Sequence, residues 1–299
     1  MTFIFFGLFH HQPEEVAAAE SSLIQKQLSV HETQKVAVHP WDERVFVVGT
    51  NHKAGSQLLR NTMAHAFDLL GATVSCRYMH HDPNGSVDHS VTSLNVDNEC
   101  DLFPAPIRFH NHINKEDILQ LRQEVHSVNA GLRGVMIVRD PLEMVVSAYC
   151  YHHRGAEPRN PIEMGMMQMA PEEGVPKMAL RMLPILQLML GAYQVSAPDI
   201  LVVRYEDLTH SPERFDSTVE QIMDFLFGDE ISDLQRALIK RAARVEDLNR
   251  AHDLGVSADN DVNHTSDEDE MTAARAALSL ISPEVYAEYV KFREGLGYV

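Results

Sequence analysis

The sequence predicts an α/β fold, a three-layer αβα arrangement around a mainly parallel central sheet. Apolar, β-branched runs at 44–49, 134–139 and 200–205 read as strands, the first as a buried strand of a parallel sheet covered on both faces. Each is followed by a stretch with apolar residues at helical spacing, and this alternation repeats along the chain without an internal sequence repeat. With 299 residues and 44% apolar content, the chain can bury a large core. We expect one domain over 44–299, preceded by an extension over 1–43.

Taken in order, 14–27 has helical composition, and His39-Pro40-Trp41 breaks it. The strand 44–49 ends in Gly49. After a loop over 50–55, Leu58, Leu59, Met63, Phe67 and Leu70 mark a helix over 56–70. Residues 76–103 are rich in His, Asp, Asn, Ser and Gly, and read as an irregular segment with room for one short strand. A short strand at 106–110 and a helix at 115–126 follow. The strand 134–139 leads into a helix over 141–153, whose Pro141 suits a first helical position because its missing N–H costs nothing there. Residues 154–176 read as a Pro/Gly/Met-rich loop, and 177–192 as a helix that Pro184 should kink. The strand 200–205 precedes helices at 212–227 and 231–248. An acidic loop over 253–270 leads to a last helix from about Glu270.

Composition excludes some partners. The net charge is −18, from 43 acidic and 25 basic residues, so a basic face broad enough for a nucleic-acid polymer is not expected. A small anionic ligand needs only a local pocket. Cys76, Cys100 and Cys150 are odd in number and lack CxxC spacing, which points to a reducing, cytoplasmic setting. The sequons at Asn84 and Asn263 are too short to weigh against that. The apolar stretch 1–9 has no basic residue and is far shorter than the ~20 residues of a membrane span, so no span is expected. An anchor preceding it would instead place the chain in the secretory pathway. His80-His81, His152-His153 and the acidic residues at 267–270 have no metal-ligand spacing, and no metal is expected. The methionines at 164, 166, 167, 169, 178, 182 and 189 fit core packing, or else an adaptable pocket wall.

The chemistry concentrates in three segments. Thr50-Asn51-His52-Lys53-Ala54-Gly55-Ser56-Gln57 joins a strand to a helix, where backbone amides and the helix dipole favour a phosphate. Lys53 adds a cation, Gly55 permits close approach, and Ser56 and Gln57 offer side-chain hydrogen bonds. The pattern GxxxxGK[ST] is absent, since Lys53 precedes Gly55 by two residues. Arg139-Asp140-Pro141 closes the second strong strand, and Ser147, eight residues after Arg139, could share a second phosphate with it. Arg204-Tyr205-Glu206-Asp207-Leu208 closes the third.

In this order the three segments resemble the superfamily of sulfotransferases that use 3′-phosphoadenosine 5′-phosphosulfate (PAPS), a P-loop NTPase-like fold. The likeness runs from Arg44 to about Gly228, and fades over 71–104 and 154–199, where acceptor recognition would sit. The resemblance implies that PAPS is the co-substrate. Lys53, Ala54, Gly55, Ser56 and Gln57 would hold its 5′-phosphosulfate, with Lys53 stabilising the leaving phosphate. Gln57 departs from the family's usual Thr. Arg139 and Ser147 would grip the 3′-phosphate, and Tyr205 would contact the adenine or else pack in the core. The family's basic-glycine segment is absent, and Asn263-His264-Thr265-Ser266 is the place for a substitute. The base that takes the acceptor's proton would be His110 in Arg108-Phe109-His110, with His112 second, and Glu99 if a carboxylate serves; a plain surface histidine is the competing reading. The acceptor would be a small molecule or a glycan. The helices leave surface for a homodimer, though no segment specifies one. A P-loop kinase or nucleotide hydrolase, which should carry an aspartate at a strand end, and a non-catalytic nucleotide-binding descendant are the rival readings.

Overall fold

The computed structural model describes residues 39–72, 75–79, 105–155, 161–250 and 267–298. The expected helix at 14–27, Glu99, the Asn84 and Asn263 sequons, His80-His81, Cys100 and the segment 263–266 lie outside them.

Among the described residues, five strands form one all-parallel sheet. They are β1 Arg44–Thr50, β2 Ser75–Met79, β3 Ile107–Asn111, β4 Gly131–Val138 and β5 Ile200–Arg204, ordered β2-β3-β1-β4-β5. The expected α/β class holds, and the short strand allowed for within 76–103 is β2. β1 lies in the middle, paired with β3 through Gly49 opposite His110 and with β4 through Val48 opposite Val135. Such a strand has no solvent face, which explains its unbroken apolar run. Phe46, Val47 and Val48 are all buried.

The helices of the described residues are α1 Ser56–Leu69, α2 Lys115–Ser127, α3 Pro141–His153, α4 Pro161–Met166, α5 Pro171–Val195, α6 Tyr205–Thr209, α7 Pro212–Phe227, α8 Asp233–Ala243, α9 Glu268–Ala277 and α10 Pro283–Gly295. α1, α7 and α8 form one layer, and α2, α3 and α5 the other, with α9 and α10 packed against α3 and α5. Phe46 from β1 joins Phe67 from α1 and Phe227 from α7 in an edge-and-tilt cluster with centroids 5.4–5.8 Å apart, which fastens the first layer to the sheet.

Local chemistry sets the helix starts. Asn114 accepts from the Asp117 amide while Asp117 accepts from the Asn114 amide, a reciprocal cap on α2. Asp140 caps α3 through the Leu142 amide, with Pro141 in the first helical position as expected. Arg122 on α2 donates to Asp199 and to the carbonyls of Val195 and Ala197, holding the turn that feeds β5.

The segment 154–176 departs from the loop expected there. It contains α4 and the first turn of α5, which runs on through Pro176 and Pro184 to Val195. Pro171 at its first turn needs no amide, and burial of Val175, Met178, Met182, Leu186 and Met189 on one face outweighs the missing bonds of the internal prolines. That helix is long and apolar enough to cross a membrane by length and composition, but this face belongs to the core. Four of the seven clustered methionines are buried, Met166, Met178, Met182 and Met189, while Met164 and Met167 are exposed. Packing therefore accounts for most of the cluster.

Candidate active site

In an open parallel sheet, ligands bind beyond the carboxyl ends of adjacent strands whose connections leave in opposite directions. Here the chain leaves β1 toward β2 and β3 and leaves β4 toward β5. The crevice is therefore flanked by the loop 51–55 on one side and by Arg139-Asp140 on the other. Two of the three predicted segments are adjacent by topology, and β5 delivers the third beside β4.

The first loop is tightly wound. The Ala54 amide and the Ser56 hydroxyl both donate to the Asn51 carbonyl, at 3.0 and 2.9 Å. Lys53 and Gly55 have φ of 62° and 102°. Gly55 precedes α1 and no side chain caps that helix, so its first amides point past the helix end. A Cβ on Gly55 would lie 2.6 Å from Cδ2 of Tyr205 and 3.0 Å from Cδ1 of Ile137, so only glycine fits.

Tyr205, the first residue of α6, thus lies against the floor of the loop. The Arg139 guanidinium sits over its ring, 4.2 Å from the centroid, and donates through Nη1 to the Lys53 carbonyl at 3.1 Å. Arg139 is 9% exposed, and its buried Nε has no hydrogen-bond partner. The structure accordingly brings Lys53, Gly55, Arg139 and Tyr205 into one connected group. The Lys53 ammonium lies over the Tyr151 ring, 2.8 Å from its centroid. Ser147 is half-buried, one turn before Tyr151 and on the same face of α3. The Gln57 side-chain oxygen accepts a hydrogen bond from Arg60.

His110 is the penultimate residue of β3 and is 3% exposed, between Gly49 of β1 and Tyr78 of β2 in the sheet register. It is therefore no surface-loop histidine. His112, half-buried in a left-handed backbone conformation (φ 60°), has its ring 6.2 Å from that of His52, which stacks on His152 at 5.7 Å. Desolvation, then the charges of Lys53, His112, His152 and Arg181, hold the His52 pKa well below its ordinary value. The near-parallel His52 and His152 rings, 24° apart in plane, present faces to each other instead of converging nitrogens on a metal.

The sequence reading overlooked several residues. His52 and Tyr151 have signals: one lies inside the phosphate loop, the other four residues after Ser147. The last turn of α10 and the residues after it have none. There Arg293 donates to Asp140 at 3.0 Å, the Tyr298 hydroxyl donates to Glu206 at 2.7 Å, and Glu206 also accepts the Asp140 amide at 3.0 Å.

No family model matches the chain, and no curated protein matches it. Among solved structures, the crystal structure of mouse sulfotransferase SULT7A1 complexed with PAP is similar to 93% of this chain and 90% of that one, at 14% identity and a TM-score of 0.45.

Proposed function

We propose that the chain is a sulfotransferase that takes a sulfuryl group from PAPS and places it on a hydroxyl or amine. The observation that supports this best is the joining of Lys53, Gly55 and Arg139 at the β1–β4 crevice. Arg139 bonds to the Lys53 carbonyl, and its buried Nε is an unsatisfied donor that a bound anion would satisfy. A Cβ would fill the hollow at Gly55. Two cationic side chains with the uncapped first turn of α1 between them fit a ligand carrying two separated phosphates.

On this reading the amides of Gly55, Ser56 and Gln57 and the Lys53 ammonium hold the 5′-phosphosulfate, the Ala54 amide being spent on the Asn51 carbonyl within the loop, and Arg139 with Ser147 holds the 3′-phosphate. When bound, PAPS supplies an activated sulfuryl group and departs as adenosine 3′,5′-bisphosphate (PAP). Lys53 places a fixed positive charge where negative charge grows on the leaving phosphate. Tyr205 contributes by seating Arg139 and bracing Gly55, a packing role that leaves its ring edge for the base. His110 accepts the acceptor's proton, with His112 as the alternative and His52, kept neutral, beside it. A cytoplasmic setting and a small-molecule or glycan acceptor belong to the same proposal.

The test is a calorimetric titration of PAP, AMP and ATP against the wild type, Lys53→Ala and Arg139→Ala. Preference for PAP, reduced in each variant by about 10–100-fold as expected for one charge-assisted contact, supports the reading. Equal binding of PAP and AMP, or tighter binding of ATP with magnesium, overturns it.

A further inference from the structure

We infer that the segment from Arg293 to Tyr298 is a positioning latch for the Arg139 turn, and so sets selectivity for a 3′-phosphorylated nucleotide. The inference rests on the reading of Arg139 as the 3′-phosphate ligand. Its physical basis is a closed chain of bonds. Arg293 Nε donates to Asp140 Oδ2 at 3.0 Å, and its Nη2 reaches the Tyr298 carbonyl at 3.3 Å. Tyr298 donates its hydroxyl to Glu206 Oε2, and Glu206 Oε1 accepts the Asp140 amide. Arg204 stacks on the Tyr298 ring at 4.6 Å and donates to the Gly297 carbonyl. The turns after β4 and β5 are thereby tied together through a segment some 90 residues away in sequence from the nearer of them.

Glu206 is the pivot. It fixes the amide next to Arg139 and lies one residue from Tyr205, the ring on which Arg139 rests. Burial, and then the Glu206 carboxylate, raise the Tyr298 pKa, so the phenol keeps the proton it donates. A carboxylate accepting both an amide and a phenol has its two oxygens set in fixed directions, which holds Asp140, and with it Arg139, in one orientation. The three residues touch no proposed ligand and act through Arg139. They are positioning residues.

The test compares Tyr298→Phe, which removes only the bond to Glu206, with Tyr286→Phe, an exposed tyrosine on α10 outside the latch. Two readouts are needed: the ratio of AMP to PAP dissociation constants, and amide hydrogen exchange at Asp140. For Tyr298→Phe we expect exchange at Asp140 to rise at least tenfold and the ratio to fall about three- to tenfold, with AMP binding itself changed less than twofold. Tyr286→Phe should match the wild type in both. A Tyr298→Phe protein with a lower melting temperature but unchanged ratio and exchange would make the segment ordinary packing and overturn the inference. If the wild type shows no preference for PAP, the sulfotransferase reading fails first. The positioning role then stands or falls on whether Asp140 exchange responds to Tyr298→Phe.

Discussion

Replacing Gly55 with alanine separates two costs that the structure assigns to the same position. The first is backbone strain, since a left-handed φ of 102° costs a residue with a Cβ about 1–2 kcal/mol. The second is overlap: the new Cβ would lie 2.6 Å from the Tyr205 ring and 3.0 Å from Ile137, and overpacking of this kind costs about 1–3 kcal/mol. Gly71 supplies the control. Its φ is 82°, and an added Cβ there meets nothing within 4 Å, so Gly71→Ala should carry the strain alone, about 1–2 kcal/mol. Urea unfolding of both variants gives the difference, expected at about 1–3 kcal/mol in the direction of greater loss for Gly55→Ala. The overlap also has a functional consequence. Relieving it by moving the Tyr205 ring displaces the seat of Arg139, so PAP binding should weaken in Gly55→Ala and not in Gly71→Ala. Equal destabilisation of the two, with PAP binding untouched in both, would refute the claim that Tyr205 braces the loop.

His52 should make stability depend on pH. Its folded-state pKa is depressed, so below its ordinary value of 6.5 the unfolded chain takes up a proton that the folded chain refuses, and stability falls as pH drops. Urea midpoints should therefore decline from pH 7.5 to pH 5 more steeply in the wild type than in His52→Gln, and parallel profiles would dismiss His52 as the source. Tyr151→Leu removes the ring beneath Lys53, an interaction of about 0.5–2 kcal/mol. PAP affinity should drop severalfold, with Tyr151→Phe restoring it, and a failure of phenylalanine to restore it would shift the role to the hydroxyl. Arg122→Ala leaves the carbonyls of Val195 and Ala197 and the Asp199 carboxylate without their shared donor. A loss of about 2 kcal/mol in unfolding free energy is expected, from two or three modest hydrogen bonds partly replaced by water; no measurable loss would mean that the turn before β5 holds itself.

What was legible in the chain was what local chemistry determines. β1 and β4 announce themselves because strands buried on both faces need unbroken apolar runs, β5 because its short β-branched run borders them at the sheet edge, and the turns that follow carry a glycine, a proline or an arginine where the backbone or ligand demands one. The Asp140-Pro141 start of α3 is readable for the same reason. The extent of α5 was not. Pro171, Gly174 and Pro176 make its first turns look like loop until the neighbouring helices are present to bury Val175. The Gln57 side chain could not be placed either, because the Arg60 that binds it lies three residues further along α1 and is itself directed by tertiary packing. The bonds from Arg293 and Tyr298 span 153 and 92 residues. No periodicity or spacing in a single sequence encodes such a pairing.

The same contacts explain how a chain of charge −18 can present a cationic site at all. The turns that carry Arg139 and Tyr205 also carry Asp140 and Glu206, and either carboxylate, turned toward Arg139, would neutralise it in place of a ligand. Each is committed elsewhere. Asp140 caps α3 through one oxygen and meets Arg293 with the other, while Glu206 divides its oxygens between an amide and the Tyr298 phenol. Arg139 instead faces an aromatic ring and a carbonyl, neither of which cancels its charge. A guanidinium held this way keeps most of its Coulomb attraction for an incoming anion, which in a partly buried crevice is far stronger than at the surface. The acidic surplus of the rest of the molecule, screened beyond roughly 8–10 Å at physiological salt, then acts on the rate of encounter more than on the bound state. Raising ionic strength should therefore leave PAP affinity falling less steeply than for a site formed by exposed lysines, and an affinity that collapses between roughly 0.05 and 0.3 M salt would place the cations at the surface and contradict the burial of Arg139.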